Sequence, residues 1–93
     1  MNKKVKVLVV DDSALVRKML SDLLNQHPAI EVVGTAQDGS FVLQKIEQLR
    51  PDVITLDVEM RKTGGLEVLP SIVKQHNIPV IMVSAHTDRG AES

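Results

Sequence analysis

The sequence has no cysteine, tryptophan or tyrosine, and only one phenylalanine, Phe41. Without cysteine there is no disulfide and no thiolate metal site. With one aromatic ring, the core must be built from Val, Ile, Leu and Met, and the case for stacking nucleic-acid bases on aromatic platforms is weak. No apolar run approaches the roughly 20 residues of a membrane span. The basic start, Met1-Asn2-Lys3-Lys4, leads into an apolar stretch that soon meets two Asp, so it has neither the core nor the cleavage site of a signal peptide. A formal net charge of -1 gives no reason to expect nucleic acid or an anionic membrane as partner. The length of 93 residues allows one small domain. A cytoplasmic protein is expected.

What is present is an alternation of strand and helix signals from start to end, with no repeat or linker. Residues 5–10 form a Val-rich apolar run broken only by Lys6, the pattern of a buried strand. Asp12 or Ser13 can cap the helix that follows. That helix carries Leu15, Val16, Met19, Leu20, Leu23 and Leu24, spaced for one apolar face, with Arg17, Lys18, Ser21 and Asp22 opposite. It should stop near His27, ahead of Pro28. Residues 30–36 are mixed enough for an edge strand. Asp38-Gly39-Ser40 is a turn with capping chemistry. Val42, Ile46 and Leu49 mark a second helix that ends before Pro51, and residues 52–57 a third strand. Leu66, Leu69, Ile72 and Val73 mark a third helix. Pro70 is tolerated there only in the first turn, so this helix should start late or kink. Val80-Ile81-Met82-Val83 is a fourth buried strand.

The order β-α-β-α-β-α-β with right-handed crossovers predicts an α/β doubly wound parallel sheet. Ligands of such sheets bind outside the C-terminal strand ends. Asp11, Asp12, Asp57 and Ser84 each follow or close a buried strand, so all four should gather at that edge. Clustered carboxylates there call for a hard divalent cation and chemistry on an oxyanion such as phosphate.

These residues resemble the receiver domain of two-component response regulators. The matching elements are Val9-Val10-Asp11-Asp12-Ser13, Pro51-Asp52-Val53-Ile54-Thr55-Leu56-Asp57, Met60, Gly65 and Val80-Ile81-Met82-Val83-Ser84. Val10-Asp11-Asp12-Ser13-Ala14-Leu15, Ile30-Glu31-Val32-Val33-Gly34-Thr35-Ala36 and Leu56-Asp57-Val58-Glu59-Met60 look most like the receiver of the chemotaxis protein-glutamate methylesterase. The resemblance implies a flavodoxin-like fold of strand order 2-1-3-4-5. It implies that Asp57 takes a phosphoryl group from a sensor-kinase phosphohistidine in a chemotaxis phosphorelay. It further implies Mg²⁺ bound by Asp12 and Asp57 directly, by Asp11 mostly through water and by the backbone carbonyl of Glu59. Ser84 would hold the switch hydroxyl that turns toward the phosphoryl oxygen.

The chemistry suits these residue types. Crowded carboxylates repel and raise one another's pKa values, and a divalent cation reverses this. Phosphoryl transfer is mainly positioning and charge neutralisation, so oxygen ligands for Mg²⁺ and an ionised Asp are the main requirement. Plainer roles stand beside these. Asp11-Asp12 could simply cap the first helix, Asp57 could be a loop carboxylate, and Ser84 could be a turn residue. His27, His76 and His86 lack metal-site spacing and read as helix-end or loop residues. Arg17 and Lys18 read as a solvated face, although the first helix of receivers can contact the kinase's phosphotransfer domain.

Two departures from the family pattern stand out. After Met60 the family usually has Pro, whereas here the loop reads Arg61-Lys62-Thr63-Gly64-Gly65. Arg61 or Lys62 is expected to screen the carboxylates and alter Mg²⁺ affinity. In addition, residues 1–93 read as an incomplete receiver, lacking the fifth strand and its flanking helices, roughly 30–35 residues by typical element lengths. With that strand would go the family lysine that pairs with the phosphoryl group. Strand four would then be an exposed apolar edge, open to self-association.

The leading reading is thus a phosphoacceptor receiver, and the alternative is a structural fragment of one, impaired in phosphotransfer. Other classes fit less well. An aspartyl phosphatase wants a second Asp two residues after the first, where this chain has Glu59. No Gly-x-Ser-x-Gly elbow supports a methylesterase catalytic domain, and no Gly-x-Gly-x-x-Gly follows strand one.

Overall fold

In the computed structural model, which describes residues 3–57 and 65–83, the Val-rich run becomes strand β1 (Val5–Val10). Ser13 then caps helix α1 (Ala14–Asn25), its Oγ accepting the Val16 N–H at 3.2 Å. This satisfies one of the amides that a helix start leaves without a partner. Strand β2 (Ile30–Ala36) follows. Asp38 caps a short 3-10 turn (Gly39–Phe41) that runs into helix α2 (Val42–Leu49), which leads to β3 (Val53–Asp57). Helix α3 (Gly65–His76) and strand β4 (Val80–Val83) complete the described order. Both α2 and α3 are followed by a left-handed residue, Arg50 and Asn77, ahead of Pro51 and Pro79.

The four strands form one parallel sheet of order β2-β1-β3-β4. β1 and β3 are therefore central, and the mixed strand β2 lies at an edge as its composition predicts. A register shift between Val7 and Leu8 brings Leu8 opposite Gly34. A Cβ on Gly34 would meet the end of the Leu49 side chain, which would have to shift to make room.

Alternation along β1 and β3 sends Leu8, Val10, Ile54 and Leu56 to one face, where they meet Val42 and Ile46 of α2 and Val68 and Ile72 of α3. Each such side chain contributes about 1.5–3 kcal/mol on burial. Val7 and Val9 point to the opposite face, which α1 covers.

The helical faces differ from the sequence expectation in three ways. No residue of α1 is fully buried: Leu15, Met19 and Leu23 are 68%, 59% and 64% exposed, and of its apolar residues only Val16, Leu20 and Leu24 turn inward. A helix about 10 Å wide covers only about two strands spaced about 4.8 Å apart, so among the described residues α1 covers only about half of this face. A groove of about 610 Å³ results, lined by Val16, Met19, Leu20 and Leu23 of α1 and by Val83. In α3, Val68 is buried and Val73 exposed, a rotation of the face away from the one expected. Pro70 lies well inside α3 rather than in its first turn. It faces solvent, where water can take up the hydrogen bond that proline cannot make. β4, finally, is only partly covered, with Ile81 at 55% and Met82 at 37% exposure, as befits an edge strand.

Candidate functional site

β1 and β3 lie side by side, with Val10 opposite Leu56, so the residues that leave their C-terminal ends are neighbours. Asp11 follows β1 and Asp57 closes β3. Both are almost fully buried, at 3% and 4% exposure, and Asp12 beside them is half-buried. One carboxylate oxygen of each of the three lies within 4.8 Å of the others. Three oxygen ligands at that separation fit a hard divalent cation, which accepts carboxylates and keeps its remaining positions for water or substrate.

The β1–α1 turn is held from three sides. The Asp11 N–H donates to the Ala36 carbonyl at 3.0 Å, tying the turn to the end of β2. Asp11 Oδ1 accepts the Ser13 N–H at 2.9 Å. Arg17 Nη1 donates to the Asp11 carbonyl at 2.9 Å. Arg17 thus belongs to the site's surroundings and not to the solvated face that the sequence suggests. Its position one helical turn beyond the Ser13 cap, aimed back at the turn, is the only sequence signal that marks it.

Burial pushes the Asp11 carboxyl above its ordinary pKa, and the charges of Asp57 and Asp12 push the same way; the Ser13 N–H and the Arg17 guanidinium oppose them. A pKa raised by folding means that ionisation destabilises the fold. This part of the stability is full below the unfolded carboxylate pKa of about 3.9 and is lost as pH rises through the raised value. Asp11→Asn is therefore expected to melt higher than the parent at neutral pH without divalent cations, with the difference vanishing at low pH. Thermal melts in chelator across a pH series check this; parallel pH profiles would contradict it.

Among the predicted site residues, Asp11, Asp12 and Asp57 come together, and the cluster contains no histidine. Val83 of β4 pairs with Asp57, so the sheet carries β4 to the same edge. Glu59, Ser84, Met60, Arg61, Lys62 and His86 lie outside the described residues. Among the described residues no helix is long and apolar enough to cross a membrane.

Known proteins resemble this chain in sequence and fold. The family model described as response regulator receiver domain matches residues 7–92. A protein-glutamate methylesterase/protein-glutamine glutaminase of Koribacter versatilis is 61% identical over 87 residues, which cover 94% of this chain and 24% of that protein. Its counterpart in Bacillus subtilis is 56% identical over 88 residues, 95% of this chain and 25% of that protein. The chain thus spans about a quarter of the length of these curated relatives. Among solved structures, the response regulator domain of Thermotoga maritima CheB superposes with a TM-score of 0.85 at 45% identity, covering 95% of this chain and 66% of that one. A match over nearly the whole sequence, joined to the sheet order and the three converging carboxylates, makes this chain a member of the response regulator receiver domain family, related to the receiver of the chemotaxis methylesterase.

Proposed function

We propose that this chain is a phosphoacceptor receiver in a cytoplasmic chemotaxis phosphorelay, with Asp57 taking the phosphoryl group from a kinase phosphohistidine. The observation that carries the reading is the convergence of Asp11, Asp12 and Asp57 within 4.8 Å at the C-terminal edge of a parallel sheet. Asp12 and Asp57 would hold Mg²⁺ directly, with Asp11 through water and the backbone carbonyl of Glu59 as further ligands. When bound, Mg²⁺ would supply positive charge that offsets the crowded carboxylates and the transferring phosphoryl group. A carboxylate oxygen of Asp57 attacks phosphorus, the bond to the histidine nitrogen breaks, and an acyl phosphate remains on Asp57. Burial of Asp57 at 4% exposure limits water around the nucleophile. The hydroxyl of Ser84, following β4, turns toward the new phosphoryl oxygens and carries the signal. A likeness in kind supports the metal: a Borrelia burgdorferi CheX-CheY-BeF3-Mg complex superposes with a TM-score of 0.81 at 30% identity, covering 96% of this chain.

The test is acetyl phosphate with Mg²⁺ followed by intact-mass measurement. The reading expects a mass increase of one phosphoryl group that chelator prevents. A folded chain that gains no mass would favour the phosphotransfer-impaired fragment.

Among the described residues β4 has a neighbouring strand on one side only, and this edge, with Ile81 and Met82 exposed, also supports self-association through the strand. Sedimentation is expected to show a dimer whose fraction grows with concentration. A monomer at every concentration would contradict this.

A further inference from the structure

The chain's only aromatic residue is not in its core. Phe41 is 41% exposed, beside the start of α2, although large aromatic side chains are ordinarily well covered. It lines a pocket of about 250 Å³ together with Arg17, Thr35, Ala36, Gln37 and Lys45. Phe41 and Lys45 are four residues apart and share a helical face. Both charged residues of the pocket, Arg17 and Lys45, are cations. The pocket also adjoins the acidic cluster. Its Ala36 carbonyl accepts the Asp11 N–H, and its Arg17 donates to the Asp11 carbonyl, so two of its walls are one hydrogen bond from Asp11.

We propose that this ledge of Arg17, Phe41 and Lys45 is the docking point for the phosphoryl-donor protein, which meets it with an acidic surface bearing an apolar contact. The inference rests on the phosphoacceptor reading and adds the donor's landing site. Electrostatics argue for this occupant. A donor must bring a negative phosphoryl group toward three carboxylates, and the field of the acidic edge opposes its approach. Two cations on the adjoining rim reverse that field for an acidic partner and raise its rate of productive encounter. Arg17 is already pinned by its bond to Asp11, so its charge is presented without further ordering. Exposed aromatics and arginines are the residue types that dominate binding energy at protein interfaces. Small phosphodonors have no surface to place there and gain nothing from it.

That contrast gives the experiment. Phe41→Ala, Lys45→Gln and Lys45→Glu are compared with the parent chain, using two donors: acetyl phosphate, and a chemotaxis histidine kinase autophosphorylated with ATP. Labelling by acetyl phosphate should stay within about twofold of the parent, because neither residue touches the carboxylates. Transfer from the kinase should show a KM raised by about tenfold in Phe41→Ala and Lys45→Glu, with kcat unchanged. The parent's transfer should slow with added salt, and Lys45→Glu should lose part of that dependence. Equal KM values for parent and variants would overturn the proposal. So would an equal loss with both donors, which would place the two residues in the acceptor site. A parent labelled by acetyl phosphate but not by the kinase would also overturn it, whereas a parent that neither donor labels refutes the phosphoacceptor reading itself.

Discussion

Asp57→Asn is expected to abolish phosphoryl uptake without lowering stability. An amide oxygen lacks the charge to attack phosphorus, so the nucleophile is lost while its shape is kept. Asp57 ends β3 at 4% exposure, and an isosteric side chain leaves the surrounding packing in place. Its charge is also one of the causes that push Asp11 upward, so neutralising it relieves repulsion in the metal-free cluster. Intact mass after acetyl phosphate should show the adduct in the parent and none in the variant, and the variant's Tm should be equal or higher. An undiminished adduct would place the acceptor elsewhere. A fall in Tm would mean that the Asp57 carboxylate holds the strand end together, contrary to this account.

Leu56→Ala is expected to have the largest effect on the fold. Leu56 is fully buried, on the central strand β3, in the cluster shared by the sheet, α2 and α3. Removing such a side chain costs about 2–5 kcal/mol, because the cavity closes only in part. Domains of this size have about 5–15 kcal/mol of stability in all, so a large share of it is at stake. At about 4–8 °C per kcal/mol, Tm should fall by at least about 8 °C. Leu56 also precedes Asp57 directly, so loosening β3 loosens the acceptor. Urea unfolding should show a lower midpoint with an unchanged slope. Leu56→Met, which conserves volume, should cost less than about 1.5 kcal/mol. If alanine and methionine behave alike, Leu56 is not the packing centre described.

The strands were the most legible part of the sequence. A parallel strand buried on both faces needs a near-continuous aliphatic run, and Val5–Val10, broken only by Lys6, and Val53–Asp57, broken by Thr55 before its closing acid, supply it. Since both runs end in acid, the carboxylate cluster followed from the strand assignment alone. Helix faces were less legible, because periodicity says which residues share a stripe but not how much of the stripe is covered. Leu15, Met19 and Leu23 of α1 have core-like spacing yet face outward, since α1 lies alone on its side of the described sheet. Val73 of α3 faces out because the helix is rotated: Val68 and Ile72 are its buried members, and Leu69 packs partly against the same core. Pro70 broke a local rule because a solvent-facing helix side can lose one hydrogen bond to water. Arg17 was read as solvated because charge favours solvent. Its bond to the Asp11 carbonyl depends on the angle between α1 and β1, which no local pattern encodes.

The central claim is that one carboxylate of the three accepts the phosphoryl group and that it is Asp57. Borohydride converts a phosphorylated aspartate to homoserine, which marks the acceptor after acetyl phosphate and Mg²⁺ treatment. Peptide sequencing by mass spectrometry is predicted to find homoserine at position 57 and intact aspartate at positions 11 and 12. Homoserine at 11 or 12, or none in a chain shown to be folded and supplied with Mg²⁺, would contradict the account.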